Sequence, residues 1–184
     1  MSGGGTRGGD AGRGWVVAAL GSNLGDSREV LRKAMNRLQV FSVEPLLRSS
    51  IWRTAPVDCP PGSADFLNAV VAWDRQPGQT PERLLETFLS LEHEFGRPPK
   101  VVHNEPRTLD LDLIACGAET RNQERLTLPH PRTIQRAFVL YPMAEILPDL
   151  VLPGQVRTVR ELRDALGEEG RLMVSRVESR GVER

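Results

Sequence analysis

The sequence predicts an α+β fold in a single domain, and three observations support this class. The chain has 184 residues, which is enough for one domain with a proper hydrophobic core. Short apolar runs typical of strands alternate with segments whose apolar residues recur at helical spacing. No internal repeat or linker divides the central part of the chain. We therefore expect a domain at residues 14–166, a flexible Gly-rich tail at 1–13 and a polar tail at 167–184.

The chain begins its ordered part with a strand and a helix. Trp15–Leu20 is the apolar run WVVAAL, and it stops at the turn-rich segment GSNLGD, as a strand followed by a loop does. Asp26 or Ser27 can cap the next segment. Its apolar residues keep helical spacing as far as Phe41, so the segment predicts a helix.

Two β-rich stretches and a second helix follow. Leu46–Thr54 and Phe66–Asp74 have the composition of strands, and a loop rich in proline separates them. The next helix has Thr80 as N-cap and Pro81 at its first position, and Gly96 closes it.

The segment PRTLDLDLI, Pro106–Ile114, ends as a further strand and completes the order βαββαβ. This is the order of the ferredoxin-like split βαβ fold, which places its helices on one face of an antiparallel sheet. Beyond it we expect a short helix interrupted at Pro142 and another helix at Thr158–Leu166. The predicted architecture is a ferredoxin-like βαββαβ sheet with helices packed on it, as a three-layer αβα sandwich.

Two aspartates stand where a buried strand normally carries Val, Ile or Leu. Residues two apart in a strand share a face, so Asp110 and Asp112 point one way and Leu109, Leu111 and Leu113 the other. Their Cα atoms would be roughly 6.5–7 Å apart. Two partly buried carboxylates at that distance repel each other unless a cation lies between them. The pair therefore predicts a Mg²⁺ site, and the alternative is an exposed sheet face whose aspartates are simply hydrated.

Basic side chains lie close to this pair in the sequence. They are Arg97, Lys100, Arg107, Arg125, His130, Arg132 and Arg136. Carboxylates mixed with arginines are typical of metal-assisted phosphoryl transfer, although a run of arginines alone is usually a solvated face. GSNLGD is not a Walker A sequence, so a nucleotide would be bound without a P-loop.

Composition argues against several classes of protein. Lys+Arg and Asp+Glu both count 24, so no overall field favours nucleic acid, and no aromatic RNP platform is visible. Cys59 and Cys116 form no disulfide framework or zinc motif. The sequence shows no secretory signal and no long apolar run. We expect a cytoplasmic monomer that acts on small molecules, without nucleic-acid or membrane partners.

Four motifs carry a resemblance to a known family. They are ALGSNLGD, WRTAPV…DFLNAVV, FGRPP…EPRTLDLDLI and RLTLPHPRTIQRAFVLYPMAEI, within about Trp15 to Leu166. PRTLDLDL followed by LPHP is the most specific part. The sequence resembles the 6-hydroxymethyl-7,8-dihydropterin pyrophosphokinase family of folate biosynthesis. The resemblance implies a ferredoxin-like α+β sandwich that transfers pyrophosphate from ATP to the pterin hydroxymethyl group, giving AMP and the pterin diphosphate.

The resemblance also implies the residues of the site. Asp110 and Asp112 would hold two Mg²⁺ ions that bridge the ATP phosphates, and Arg97 and Arg107 would assist the transfer. The nucleotide would be contacted by Glu92, Arg97, Arg125, His130 and Arg136. The pterin pocket would be formed by Thr54, Val57, Phe66, Asn68 and Phe138.

The residues of that pocket suit a planar heterocycle on physical grounds. Phe66 and Phe138 offer faces for stacking, although either would also serve as core packing. Asn68 stands inside the apolar run FLNAVVAW, where its amide must be hydrogen-bonded to be tolerated. Loops Ala55–Asp65 and Arg97–Pro106 would close over the substrates.

Two other functions remain open from the sequence. The first is a different Mg²⁺-dependent phosphoryl or nucleotidyl transferase on the same scaffold, with another acceptor. The second is a nucleotide-binding module without catalysis.

Overall fold

The computed structural model describes residues 14–55, 62–96 and 106–177. Eight strands lie within these ranges. They are β1 Trp15–Ser22, β2 Leu47–Arg48, β3 Trp52–Thr54, β4 Phe66–Asp74, β5 Asp110–Cys116, β6 Arg121–Gln123, β7 Leu126–Leu128 and β8 Val174–Arg176. The main sheet has the order β5-β1-β4-β3-β8 with β2 also paired to β4, and β6 and β7 form a separate hairpin. All these strand pairs are antiparallel.

Five α-helices of the described residues pack on the sheet. They are α1 Ser27–Leu38, α2 Pro81–Glu94, α3 Ala137–Ile146, α4 Val159–Asp164 and α5 Gly167–Leu172, with short 3-10 helices at Gln39–Phe41 and Thr133–Gln135. In the described part of the chain, none of the helices combines the length and apolar character that crossing a membrane requires.

The helix starts predicted from the sequence are confirmed by their capping contacts. The Asp26 carboxylate accepts the backbone N–H of Glu29 at the start of α1. The Thr80 hydroxyl accepts the N–H of Arg83 at the start of α2, with Pro81 in the first turn. These caps satisfy N–H groups that have no partner inside a helix.

Two hydrophobic cores lie on opposite faces of the sheet, because successive strand side chains alternate between faces. On one face, Val16 and Leu20 of β1 pack with α1 and with Phe88 of α2. On the other face, Val17 of β1 packs with α3, represented by Met143, and with α4. The protein is therefore a mixed α/β domain in which helices cover both faces of an antiparallel sheet.

The helix around Pro142 differs from the prediction. We expected an interruption there, but α3 continues through Pro142 from Ala137 to Ile146. Proline lacks the N–H that would reach the carbonyl four residues earlier. The buried packing of α3 against β4 offsets this loss, since Val139, Leu140 and Met143 are fully buried.

The C-terminal part of the chain also contains structure that the sequence pattern did not predict. Beyond Gly167, where we expected a polar tail, the chain forms α5 and then β8, which extends the sheet by pairing with β3. Three strand residues carry little local signal, so this element depends on its pairing partner rather than on its own composition.

We expect Phe88→Ala to lower the free energy of unfolding by about 3–5 kcal/mol, because a fully buried ring would leave a cavity in the core under α2. Denaturant titration followed by circular dichroism measures this loss. Leu89→Ala, at a neighbouring side chain that is 46% exposed, is the matched control and should change stability by about 0.5 kcal/mol or less. Equal losses in the two variants would contradict the placement of this core.

Candidate active site

A cleft of ≈ 530 Å³ opens where β1, β4 and β5 meet the start of α3. Its walls combine charged, polar and apolar side chains, which is typical of a site for a small molecule. Its lining residues include Gly21, Thr54, Ala55, Phe66, Asn68, Arg107, Asp110, Asp112, Arg132, Gln135, Arg136, Phe138, Met173 and Val174.

Strand β5 divides its side chains between the core and this cleft. Leu111 and Leu113 are buried in the core under α1 and α2. Asp110 and Asp112 line the cleft on the opposite face, and their backbones pair with Gly21 and Ala19 of β1. The alternation predicted from DLDL is confirmed, and it gives the cleft two carboxylates that remain partly exposed.

Each of the two carboxylates is paired with an arginine. Arg107 Nη1 lies 3.0 Å from Asp110 Oδ2, and Arg136 Nη1 lies 3.1 Å from Asp112 Oδ2. Guanidinium groups at these distances offset the repulsion between the two acids. The four side chains thus form an electrostatically balanced floor for the charged half of the cleft.

Arg107 is held in place from the loop after β1. The Asn23 side-chain oxygen accepts the Arg107 N–H at 2.9 Å, and the Asn23 N–H donates to the Arg107 carbonyl at 3.2 Å. This double contact fixes the backbone just before β5. It gives the GSNLGD motif a structural role in positioning an arginine of the cleft.

His130 lies beside Asp112 and also contacts the edge of the sheet. Its Nε2 is 4.0 Å from Asp112 Oδ2, and its backbone N–H donates to the carbonyl of Ile114 in β5. Burial lowers the pKa of the His130 imidazole below its usual value, while the Asp112 carboxylate acts in the opposite direction. Burial thus favours the neutral form of the ring at the margin of the charged half.

Glu92 occupies the other side of β5 from the cleft. It is 3% exposed on α2, and its Oε1 accepts the backbone N–H of Leu111 at 2.7 Å. Since β5 is an edge strand, this N–H faces away from β1 and needs a partner outside the sheet. Glu92 is not among the residues that line the cleft.

The apolar half of the cleft combines two phenylalanines with a buried polar pair. Phe66 and Phe138 both line it, and the Asn68 amide donates to the Thr54 hydroxyl at 2.9 Å. This bond meets the requirement that the sequence set for Asn68. The Arg136 guanidinium carbon lies 5.4 Å from the centroid of the Phe138 ring. Arg136 therefore contacts both the aromatic half and, through Asp112, the charged half.

Gly21 lies between the charged half and the apolar half of the cleft. Because it has no side chain, the two halves lie close together. Its neighbours in the sheet are Asn68 of β4 and Asp110 of β5. A Cβ at this position would lie 3.3 Å from Asn68 Oδ1 and 3.9 Å from the Asp110 Cβ. A side chain here would intrude between the polar amide and the carboxylate, so glycine keeps the floor of the cleft open.

Most of the site residues expected from the sequence come together in this cleft. Those that line it are Thr54, Phe66, Asn68, Arg107, Asp110, Asp112, Arg136 and Phe138. Arg125 instead lies exposed in the turn between β6 and β7, apart from the lining residues. Val57, Arg97 and most of the two loops expected to close on the substrates lie outside the described residues.

The cleft also includes residues that the sequence pattern did not assign to it. Gly21 and Gln135 stand inside two of the motifs quoted above, so the motifs themselves were a usable signal. Met173 and Val174 come from the end of the chain, which had been expected to be a tail. Nothing local in their sequence marks them as cleft residues.

The donor set of the charged half fits Mg²⁺. Within residues 14–55, 62–96 and 106–177, no group of three or more His, Cys, Asp or Glu side chains is placed to hold a metal ion. Two carboxylates, however, match the way proteins bind Mg²⁺, which takes one or two carboxylates and completes its shell with water and substrate phosphates. Asp110 and Asp112 provide these hard oxygen atoms on one face of β5.

Comparison with known proteins identifies the family of this chain. The model of the family described as 7,8-dihydro-6-hydroxymethylpterin-pyrophosphokinase (HPPK) matches residues 17–148. A 2-amino-4-hydroxy-6-hydroxymethyldihydropteridine pyrophosphokinase of Methylorubrum extorquens is 41% identical over 163 residues, covering 86% of this chain and 96% of the relative. The protein of the same name from Synechocystis sp. is 38% identical over 147 residues, covering 80% and 73%.

A solved structure shows the same fold. The crystal structure of wild-type Plasmodium falciparum HPPK-DHPS matches 91% of this chain with a TM-score of 0.68 and 12% sequence identity. This chain spans 49% of that longer one. At such low identity the likeness establishes the fold alone.

We expect Glu92→Ala to lower the free energy of unfolding by about 1–3 kcal/mol, because the buried Leu111 N–H loses its acceptor. Glu92→Gln keeps an oxygen at that position and should lose less. Glu94→Ala, on the same helix with a half-exposed carboxylate paired to Arg37, is the control and should change stability by about 1 kcal/mol or less. Denaturant titration of the three variants provides the measurement. Indistinguishable losses would contradict a structural role for Glu92.

Proposed function

This chain belongs to the 7,8-dihydro-6-hydroxymethylpterin-pyrophosphokinase family, and we propose that it transfers pyrophosphate from ATP to 6-hydroxymethyl-7,8-dihydropterin in folate biosynthesis. The acceptor hydroxyl attacks the β-phosphorus of ATP, and the bond from that phosphorus to the α,β-bridging oxygen breaks. The products are AMP, the pterin diphosphate and the proton of the hydroxyl. The substrates and reaction follow from the names of the relatives together with the site.

The observation that carries the proposal is the meeting of two unlike half-sites in one cleft. Two carboxylates and two arginines lie on one side, and two phenylalanines with the Asn68–Thr54 pair lie on the other. A polyphosphate suits the first half, and a flat heterocycle with an amide-like edge suits the second. Gly21 allows the two halves to approach each other, as an in-line transfer requires.

Asp110 and Asp112 are the residues that would hold Mg²⁺, and we propose two ions in this half of the cleft. Mg²⁺ bound with ATP supplies positive charge that neutralises the phosphate oxygens. The carboxylates contribute hard oxygen ligands from a strand that is fixed in the sheet. Their arginine partners, Arg107 and Arg136, are already in the same cleft and provide further charge for phosphate oxygens.

Positioning and charge compensation account for catalysis without a side-chain base. The Arg107 backbone is fixed by Asn23, and its guanidinium is held at the charged floor by Asp110. Arg136 contacts Asp112 and lies over Phe138, so it links the phosphate half to the acceptor half. Phe66 and Phe138 would hold the pterin ring, and Asn68 with Thr54 would present polar atoms to its edge.

Two further features of the proposal extend beyond the site. The order β5-β1-β4-β3, with α1 and α2 packed on one face, supports the ferredoxin-like description of the βαββαβ unit. We also propose a monomer as the active form. We place the activity in the cytoplasm. We also propose that Arg97, Arg125, Val57 and His130 contact the ligands.

We expect Asp110→Ala and Asp112→Ala each to abolish Mg²⁺-dependent AMP release from ATP and 6-hydroxymethyl-7,8-dihydropterin. In each variant, the Mg²⁺ that neutralises phosphate charge would lose a carboxylate ligand. Asp149→Ala, with a carboxylate that is 80% exposed, is the matched control and should keep wild-type turnover. Circular dichroism checks that each variant is folded.

Two results of this assay would contradict the assignment. Wild-type turnover in either cleft variant would remove the carboxylates from the mechanism. A wild-type chain that binds Mg²⁺ and ATP without releasing AMP would favour a nucleotide-binding module, and transfer to another acceptor would favour a related transferase.

We expect Arg107→Ala to lower the turnover number by about a hundredfold or more, since the side chain acts on charge that develops during transfer. Its effect on the dissociation constant of the nucleotide should be much smaller. Steady-state kinetics and calorimetric titration with a non-hydrolysable ATP analogue separate the two quantities. Arg160→Ala, at a half-exposed arginine paired with Asp149, is the control. An unchanged turnover number in Arg107→Ala would count against its role.

A further inference from the structure

The end of the chain forms part of the wall of the cleft. Val174 of β8 pairs with Thr54 of β3, so the C-terminal strand lies next to the acceptor half. Val174 and the preceding Met173 both line the cleft, together with Thr54 and Ala55. The Thr54 hydroxyl is the acceptor for the Asn68 amide, which connects this wall to the polar pair of that half.

The exposure of Met173 distinguishes it from its neighbours. Val174 is 9% exposed and belongs to the packed interior, while Leu172 is 85% exposed and does not line the cleft. Met173 is 50% exposed and lines the cleft, so this residue offers apolar surface at a concave site. Covering such a surface with an apolar ring is favourable, and the flexible thioether adapts to an aromatic face.

This wall lies outside the part of the chain that carries the family pattern. The family model ends at residue 148, and Met173 stands 25 residues beyond that point, directly before β8, which pairs with β3. The two phenylalanines and Asn68 all lie inside the matched range. Met173 and Val174 therefore lie outside the residues that the family model matches.

We propose that Met173 is a specificity-determining residue that contacts the ring of the acceptor and thereby sets how tightly this chain binds it. The proposal rests on the proposed function, because it takes the acceptor to be a planar pterin in the half of the cleft that contains Thr54. Met173 acts on acceptor binding and has no part in compensating phosphate charge, since Val174 links its segment to β3 and the charged floor is formed by β5.

The test is the kinetics of Met173→Ala with both substrates varied. The KM for the dihydropterin should rise about threefold to tenfold. The variant loses apolar contact between residue 173 and the acceptor ring that is equivalent to roughly one methylene group or more. The KM for ATP and the turnover number should stay within about twofold. Met173→Leu keeps most of the apolar surface and should restore acceptor binding. Leu172→Ala is the matched control and should behave as wild type in every parameter.

Each other outcome overturns a defined part of the account. An unchanged dihydropterin KM in Met173→Ala, with normal wild-type turnover, overturns this inference alone. Equal changes in Met173→Ala and Leu172→Ala also overturn it, because they indicate an effect of the segment. If Met173→Ala is poorly folded by circular dichroism, Met173→Gln keeps the length without the apolar surface, and an unchanged KM there overturns the inference. A wild-type chain without turnover overturns the proposed function and this inference with it.

Discussion

The site depends on one strand, β5. Its side chains divide between the core and the cleft, and backbone groups at its outer edge form hydrogen bonds outside the sheet. β5 is an edge strand whose leucines enter the core under α1 and α2, while Asp110 and Asp112 face the cleft. Its outer edge is satisfied by Glu92, which accepts the Leu111 N–H, and by His130, which donates to the Ile114 carbonyl. An edge strand with free N–H and C=O groups would be poorly fixed. These contacts hold the two carboxylates in a defined position.

Charge in the cleft is balanced by side chains that different elements supply. Arg107 comes from the segment before β5 and is fixed by Asn23, while Arg136 comes from the start of α3. Because Arg136 also lies over Phe138, the charged and aromatic halves share one residue. A change on either side of the cleft therefore affects the other, which suits a reaction that needs both substrates aligned.

Local signals made the elements before β5 and the core of the site predictable. Strand alternation placed Asp110 and Asp112 on one face, and Thr80 with Pro81 marked the start of α2. Features that depend on tertiary contacts could not be predicted in this way. α3 continues through Pro142 because of its buried packing, and β8 exists through its pairing with β3. Met173 enters the cleft only because of that pairing, so no property of its own segment marked it.

The most direct test of the central claim is to locate the metal with Mn²⁺, which replaces Mg²⁺ and broadens nearby amide resonances in nuclear magnetic resonance spectra. Substoichiometric Mn²⁺ with a non-hydrolysable ATP analogue should broaden the amides of Gly21 and of Asp110–Asp112 first. The amides of α4, represented by Leu162 in the core that Val17 forms with α3 and α4, should remain sharp at the same Mn²⁺ concentration. Broadening that is uniform, or that begins away from β5, would contradict a metal and nucleotide site at these two carboxylates.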